Sequence, residues 1–246
     1  MTLNSEFTGD PLGFANKYAI VPDRGLSETL RNDVGQKVTL AGFSFVEDTD
    51  VQVGGYAKKA VRLVLDDAGF TCYWLSYEAD KSKRCVIGTD AKYMFTFTMD
   101  GCSFGVGSAT GTGHILVAHA NAMQAGVDAE AGANGNVAAK LAIGQAAQAA
   151  MQLQMLKRKM NLKKPMTTLS PVGYKSDIGF MENLAGNLAA KVGMIDSWVD
   201  ADDILKKSAI TFGVRDKTTW TFYVQRRVVT IRGQIVLRDV IEFATV

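Results

Sequence analysis

The chain reads as an α+β protein, a β-sandwich or a pair of strongly twisted antiparallel sheets flanked by helices. Three observations carry this reading. Short runs of β-branched and aromatic residues fill the first hundred positions, the same pattern returns near the C-terminus, and between them lies a long stretch rich in Ala, Gln, Leu and Met. Alternation of this kind by itself admits a barrel equally, so the number of sheets is left open.

Taken in order, Lys37–Val46, Ala60–Leu65 and Phe70–Tyr77 have strand composition and are bounded by Gly or Asp turns. They predict a meander, with Asp66-Asp67-Ala68-Gly69 as the turn that makes a hairpin of the second and third. Lys92–Met99 alternates as a half-buried strand, and Ile115 begins another apolar run after Gly101, Gly105, Gly107, Gly111 and Gly113. From Asn136 to Met160 the composition predicts a helix. Asn136 is its cap, and Lys157, Arg158 and Lys159 sit where the dipole favours cations. Leu141, Gln145, Gln148, Gln152 and Met155 could form a partner-binding face, but packing of an Ala-rich helix on a sheet is the simpler explanation. A second helix is expected over Phe180–Val192, with Pro165 and Pro171 bracketing the loop before it. Ala209–Val214, Thr219–Thr230 and Ile235–Phe243 should complete the sheets.

Composition bounds the function. A chain of 246 residues can bury its core as one domain, residues 1–246. Its formal charge of +2 is too small for a nucleic-acid surface, and no apolar stretch is long enough to span a bilayer. Three scattered cysteines without a Cys-x-x-Cys pair argue for reduced thiols rather than a disulfide framework or a structural metal. The N-terminus lacks the basic and apolar regions of a Sec signal. Cys72 and Cys85, in strand-like surroundings, read as core residues.

Chemistry concentrates near Cys102. One of three cysteines stands close to one of two histidines, His114, within a Gly-rich window, and an imidazole that takes a thiol proton makes a nucleophile. If two antiparallel strands join across the glycines, position 102 falls within reach of position 114, with Thr96 placed to orient the ring. His119, in Ala118-His119-Ala120-Asn121, is the competing histidine and reads more readily as structural.

Thr96 six residues before Cys102, and His114 twelve after it, resemble the Thr-Cys-His site of Burkholderia lethal factor, a glutamine-deamidase toxin. Met99-Asp100-Gly101-Cys102 resembles the Leu-Ser-Gly-Cys motif shared by that toxin and the cytotoxic necrotizing factor catalytic domain. Asp100 stands where the motif has Ser, and a carboxylate beside the nucleophile raises a thiol pKa. The chemotaxis receptor deamidases have a similar Thr-to-Cys spacing with a longer Cys-to-His interval. The motif spans about twenty residues of the chain.

The resemblance implies a toxin or effector that deamidates a glutamine of a host protein, such as a Rho-type GTPase or a translation-initiation helicase. It implies Cys102 as nucleophile, His114 as base, Thr96 as orienting residue and the N–H groups of Gly101, Cys102 and Ser103 as the oxyanion hole, with no cofactor or metal. It also implies a bacterial cytoplasmic protein exported to the host cytosol, and we expect a monomer. A protease or transglutaminase would use the same pair, and a non-catalytic binding protein would use the Gly-rich segment only as a hairpin.

Overall fold

The computed structural model describes residues 2–30, 40–55, 57–107, 113–160, 166–175 and 204–246. In chain order these form α1 (Leu3–Gly9), α2 (Pro11–Lys17), β1 (Tyr18–Pro22), α3 (Leu26–Thr29), β2 (Leu40–Asp48), β3 (Val53–Gly55), β4 (Lys59–Leu65), β5 (Phe70–Leu75), β6 (Ser82–Ile87) and β7 (Tyr93–Thr96). There follow β8 (Ser103–Gly107), β9 (Ile115–Ala120), α4 (Met123–Gly132), α5 (Val137–Met160), β10 (Met166–Leu169), α6 (Pro171–Lys175), β11 (Ile204–Asp216), β12 (Thr219–Thr230) and β13 (Ile235–Thr245). The fold is α+β, as the sequence predicts. The expected helix Phe180–Val192, with Pro165, lies outside the described residues.

Two sheets are present. The larger has nine strands in the order β1-β4-β2-β5-β7-β11-β12-β13-β3, and the smaller has four in the order β10-β8-β9-β6. Side chains of β12 reach the backbone of β1. Gln225 accepts from Ile20 N at 2.9 Å and donates to the Ala15 and Tyr18 carbonyls, and Arg227 donates to the Ile20 carbonyl. These bonds draw the two ends of the large sheet together.

Alternation in the strands sends side chains to two cores. One face of the large sheet carries Phe43, Phe45, Val61, Leu63, Trp74, Phe95 and Phe212, and the two N-terminal helices cover it with Phe7 and Phe14. Those helices went unread in the sequence, although their caps follow ordinary rules. Thr2 accepts from Ser5 N, and Asp10 ends the first helix and caps the second, with Pro11 at its first position. The other face carries Tyr73, Leu75, Met94, Trp220, Phe222 and Val224 against Cys85, Ile87, Phe104, Val106, Ile115 and Val117 of the small sheet. Helix α5 closes the outer side of the small sheet with Leu156 and Met160 on Ala118 and Ala120. Its cap is the expected one, since Asn136 Oδ1 accepts from Ala139 N at 2.9 Å. Cys72 and Cys85 are buried, as their strand surroundings suggested.

The predicted hairpin of the second and third strands does not form. β4 and β5 pair on opposite sides of β2, Phe43 facing Leu65 on one side and Phe70 on the other. The Asp66–Gly69 turn therefore passes over the end of β2, with Asp66 N donating to the Gly42 carbonyl at 2.9 Å. Periodicity identifies strands but not which of them are neighbours. This close passage leaves no space at position 69, where a β-carbon would stand 1.9 Å from the Phe43 carbonyl oxygen. Gly69→Ala is expected to destabilise by about 2 kcal/mol or more, because backbone must shift to admit the methyl. Gly9→Ala, where a β-carbon meets nothing within 4 Å, should leave the melting temperature unchanged or slightly raised. Thermal melts of the two variants check this.

Candidate active site

After Thr96 the chain leaves the large sheet. Met99 pairs with Ala209 of β11 through two backbone bonds of 2.7 Å, and the chain then enters the small sheet at Ser103. Cys102 is the last residue of this crossing. Its side chain belongs to the core between the sheets, as do those of Phe104 and Val106.

The register of the following hairpin decides which histidine meets it. Ser103 pairs with Ala120, Phe104 with His119 and Val106 with Val117. Alternation turns Cys102, Phe104, His119 and Asn121 to the same face, with Cys102 facing Asn121 and His119 diagonally adjacent. Asn121 Nδ2 donates to Cys102 Sγ at 3.3 Å. The expected closeness of Cys102 and His114 is not found. His114 lies seven residues before Asn121 along the strand, roughly 20 Å away, exposed, with its ring against Gly88 at the end of β6. The expectation went astray because the hairpin closes after Cys102, not around it, so the glycines lengthen its far end and carry His114 off with them.

Thr96 fills its predicted place, beside a different histidine. It ends β7 at the register position of Leu75, and its hydroxyl donates to the Leu75 carbonyl at 3.0 Å. That hydroxyl has one hydrogen, so toward His119 Nδ1, 2.8 Å away, it acts as acceptor. The neutral His119 ring thus carries its proton on Nδ1 and presents Nε2 as the base. Nε2 is buried and has no hydrogen-bond partner among the described residues. Tyr77 lies against the ring at 5.6 Å between centroids and stacks in turn on Phe97 at 5.9 Å. Both aromatics are half-buried.

The peptide units around Cys102 are held from several sides. Lys175 Nζ donates to the Asp100 carbonyl at 2.6 Å, Gln148 and Gln152 of α5 donate to the Gly101 carbonyl at 3.0 and 2.5 Å, and the Tyr174 hydroxyl donates to the Cys102 carbonyl at 3.1 Å. Gln152 also accepts from Ser103 Oγ at 2.6 Å. Two glutamines that the sequence suggests for a partner face are thus turned inward on the crossing. The N–H groups of Gly101 and Cys102 face the Tyr174 phenol oxygen, and Ser103 lies in the ladder with Ala120.

Burial sets the electrostatics. It pushes the Cys102 thiol up to about 11, against the Asn121 hydrogen bond, and the Asp100 carboxylate adds to the rise. Burial likewise pushes His119 down to about 4, with Asp100 opposing. Near neutral pH the resting pair is a thiol and a neutral imidazole. Asp100 itself pairs with Lys206 at 2.8 Å. Among the described residues no cluster of His, Cys, Asp and Glu could hold a metal ion, and no helix is long and apolar enough to cross a membrane.

No family model matches the chain, and no curated protein does. Among solved structures, it is similar to the C-terminal domain of CNFy from Yersinia pseudotuberculosis, at 13% identity and a TM-score of 0.38, over 87% of this chain and 75% of that one. At that TM-score the likeness assigns no chemistry to this chain.

Sequence reading passed over Asn121 and set His119 second to His114, as the more structural histidine. The signal lay in strand parity, since Ile115, Val117, His119 and Asn121 alternate with Leu116, Ala118 and Ala120.

The depressed His119 pKa makes stability pH-dependent. An unfolded histidine binds a proton below about 6.5, whereas the folded one resists until about 4. Unfolding thus takes up a proton in that window, and this contribution is complete above pH 6.5 and lost as pH falls toward 4. The effect amounts to roughly 3 kcal/mol at most. Urea titrations at pH 7.5 and 4.5 should show the loss, and His119→Gln should flatten it.

Proposed function

We propose that the protein is a cysteine hydrolase that deamidates a glutamine side chain of a protein substrate, with Cys102 as nucleophile, His119 as base and Thr96 as the residue that orients the base. The observation that carries this reading is the buried, unpartnered Nε2 of His119, fixed as the basic nitrogen by Thr96 and placed diagonally across the hairpin from Cys102. A core histidine is ordinarily satisfied at both nitrogens. Among the described residues this one has a single hydrogen-bond partner, on the side away from its basic nitrogen.

In the proposed reaction Nε2 takes the thiol proton and Sγ attacks the carboxamide carbon. The C–N bond then breaks as the imidazolium protonates the departing ammonia, leaving a thioester. Water, losing a proton to the same imidazole, adds to the thioester and releases glutamate and the thiol. The chemistry calls for no cofactor. A substrate must reach a buried sulfur, and its proposed approach is past the half-buried Tyr77 and Phe97. An extended binding surface offsets such an opening more readily than one free amide does, so a folded protein is the fitting substrate. The Glu78–Lys81 turn, bonded to Asn121 through Asp80 and Lys81, and the end of α6 at Lys175 would supply part of that surface; Gly113 stands beside His114 at the far end of the hairpin, and 108–112 and 163–165 lie outside the described residues. A toxin or effector acting on a host protein in the host cytosol belongs to the same proposal.

A second reading is favoured by one observation. Cys102 is fully buried with its thiol pushed up to about 11, which suits a non-catalytic sandwich whose Cys and His are core residues.

The deciding experiment incubates the protein with eukaryotic cell extract and follows glutamine-to-glutamate conversion by peptide mass spectrometry. Wild type should convert one or a few sites in folded proteins, and Cys102→Ser and Cys102→Ala should convert none. His119→Ala should lose about 10²–10⁴-fold in rate, the usual contribution of a positioned base, while His114→Ala stays within a few-fold of wild type. Equal activity of wild type and Cys102→Ala, or no Cys102-dependent conversion in any extract, would favour the second reading. Cleavage or cross-linking in place of a one-dalton gain (about the mass difference expected of amide hydrolysis) would redirect it to a protease or a transglutaminase.

A further inference from the structure

We infer that Asn121 is a further catalytic residue, whose side-chain amide holds negative charge on the Cys102 sulfur; this rests on the reading of Cys102 as the nucleophile. The amide is aimed by its own oxygen. Asn121 Oδ1 accepts from Asp80 N at 2.9 Å and from Met123 N at 3.2 Å. Two backbone donors on one atom identify it as the carbonyl end, so the NH2 end is the one that meets Sγ. The residue is buried, and its backbone N–H donates to the Lys81 carbonyl at 2.9 Å, so both main chain and side chain are tied to the loop after Tyr77.

The position matters because few donors point at the sulfur. Gly101 and Cys102 N–H groups face Tyr174, and Ser103 sits in the strand ladder. Asn121 Nδ2 is within hydrogen-bond distance of Sγ, and the Asp100 carboxylate acts against it by raising the thiol pKa. Once His119 removes the thiol proton, charge appears on a sulfur shielded from water, where a preorganised N–H is worth far more than in solvent. Asn121 is the side chain that supplies one, and it does so without any change of rotamer.

The test needs no substrate. Iodoacetamide labelling of Cys102 is followed across pH by quantifying the Cys102 peptide, which separates it from buried Cys72 and Cys85. In Asn121→Ala the labelling midpoint should move up by about one to two pH units, the loss expected for a hydrogen bond to a charged group. Asn121→Asp keeps an oxygen for Asp80 N and Met123 N but removes the donor, and should move the midpoint at least as far, so it serves if the Ala variant fails to fold. A midpoint unchanged in a natively folded Asn121→Asp protein overturns the inference, as does a Cys102 that labels at no pH below unfolding. The extract assay separates the two readings. A shifted midpoint in a protein that deamidates nothing upholds the role of Asn121 at the sulfur and removes the deamidase. An unshifted midpoint beside Cys102-dependent deamidation does the reverse.

Discussion

The structure depends on how the chain crosses from the large sheet to the small one between Thr96 and Ser103. A strand that changes sheets must leave both ladders for a few residues, and the carbonyls so exposed need other partners in a buried setting. From Met99 to Cys102 each carbonyl is met by another element. Ala209 of β11 takes Met99, Lys175 takes Asp100, Gln148 and Gln152 of α5 take Gly101, and Tyr174 of α6 takes Cys102. Three segments remote in sequence, α5, α6 and β11, thereby fix one short stretch. The thiol at its end is a consequence of that fixation as much as of its own side chain.

The same burial that rigidifies the crossing neutralises it. A thiol pushed to about 11 and an imidazole pushed to about 4 hold no ion pair at rest. Thr96 still commits the ring to one tautomer, because its hydrogen goes to Leu75 and leaves only a lone pair for His119. Asn121 is committed likewise by the two N–H groups on its oxygen. The site is therefore preorganised in hydrogen-bond direction but not charged. Reaction in such a site requires that substrate binding change the surroundings of the sulfur, which ties chemistry to recognition.

Helix α5 shows how one composition can serve two purposes. Its alanines and glycines allow close approach, and Gly144 lies so near the Gly126 carbonyl of α4 that a β-carbon there would stand 2.8 Å from it. Read as a pattern, the glutamines at 145, 148 and 152 look like a polar stripe. In the structure Gln152 is fully buried and bridges Ser103 and Gly101. Packing on a sheet, the simpler expectation, holds for Leu156 and Met160. The glutamine contacts are specific to the crossing beneath them.

Local chemistry determined much of this protein. The α+β class follows from alternation and helix propensity, the cap of α5 from Asn136, and the long C-terminal strands from their β-branched runs, all effects that act within a few residues. Type and spacing likewise drew attention to Cys102 and Thr96, which the fold brings to the same crossing as His119. Tertiary structure alone decided the rest. Whether β4 pairs with β5 or with β2 depends on which edges meet, and which histidine stands by Cys102 depends on where a hairpin closes. A shift of that closure by a few residues exchanges His114 for His119, because each residue of a strand moves its neighbour by about 3.3 Å and pairing is set by the far end of the turn. Asn121 carried no motif of its own; only the register that sets it opposite Cys102 gave its amide a role.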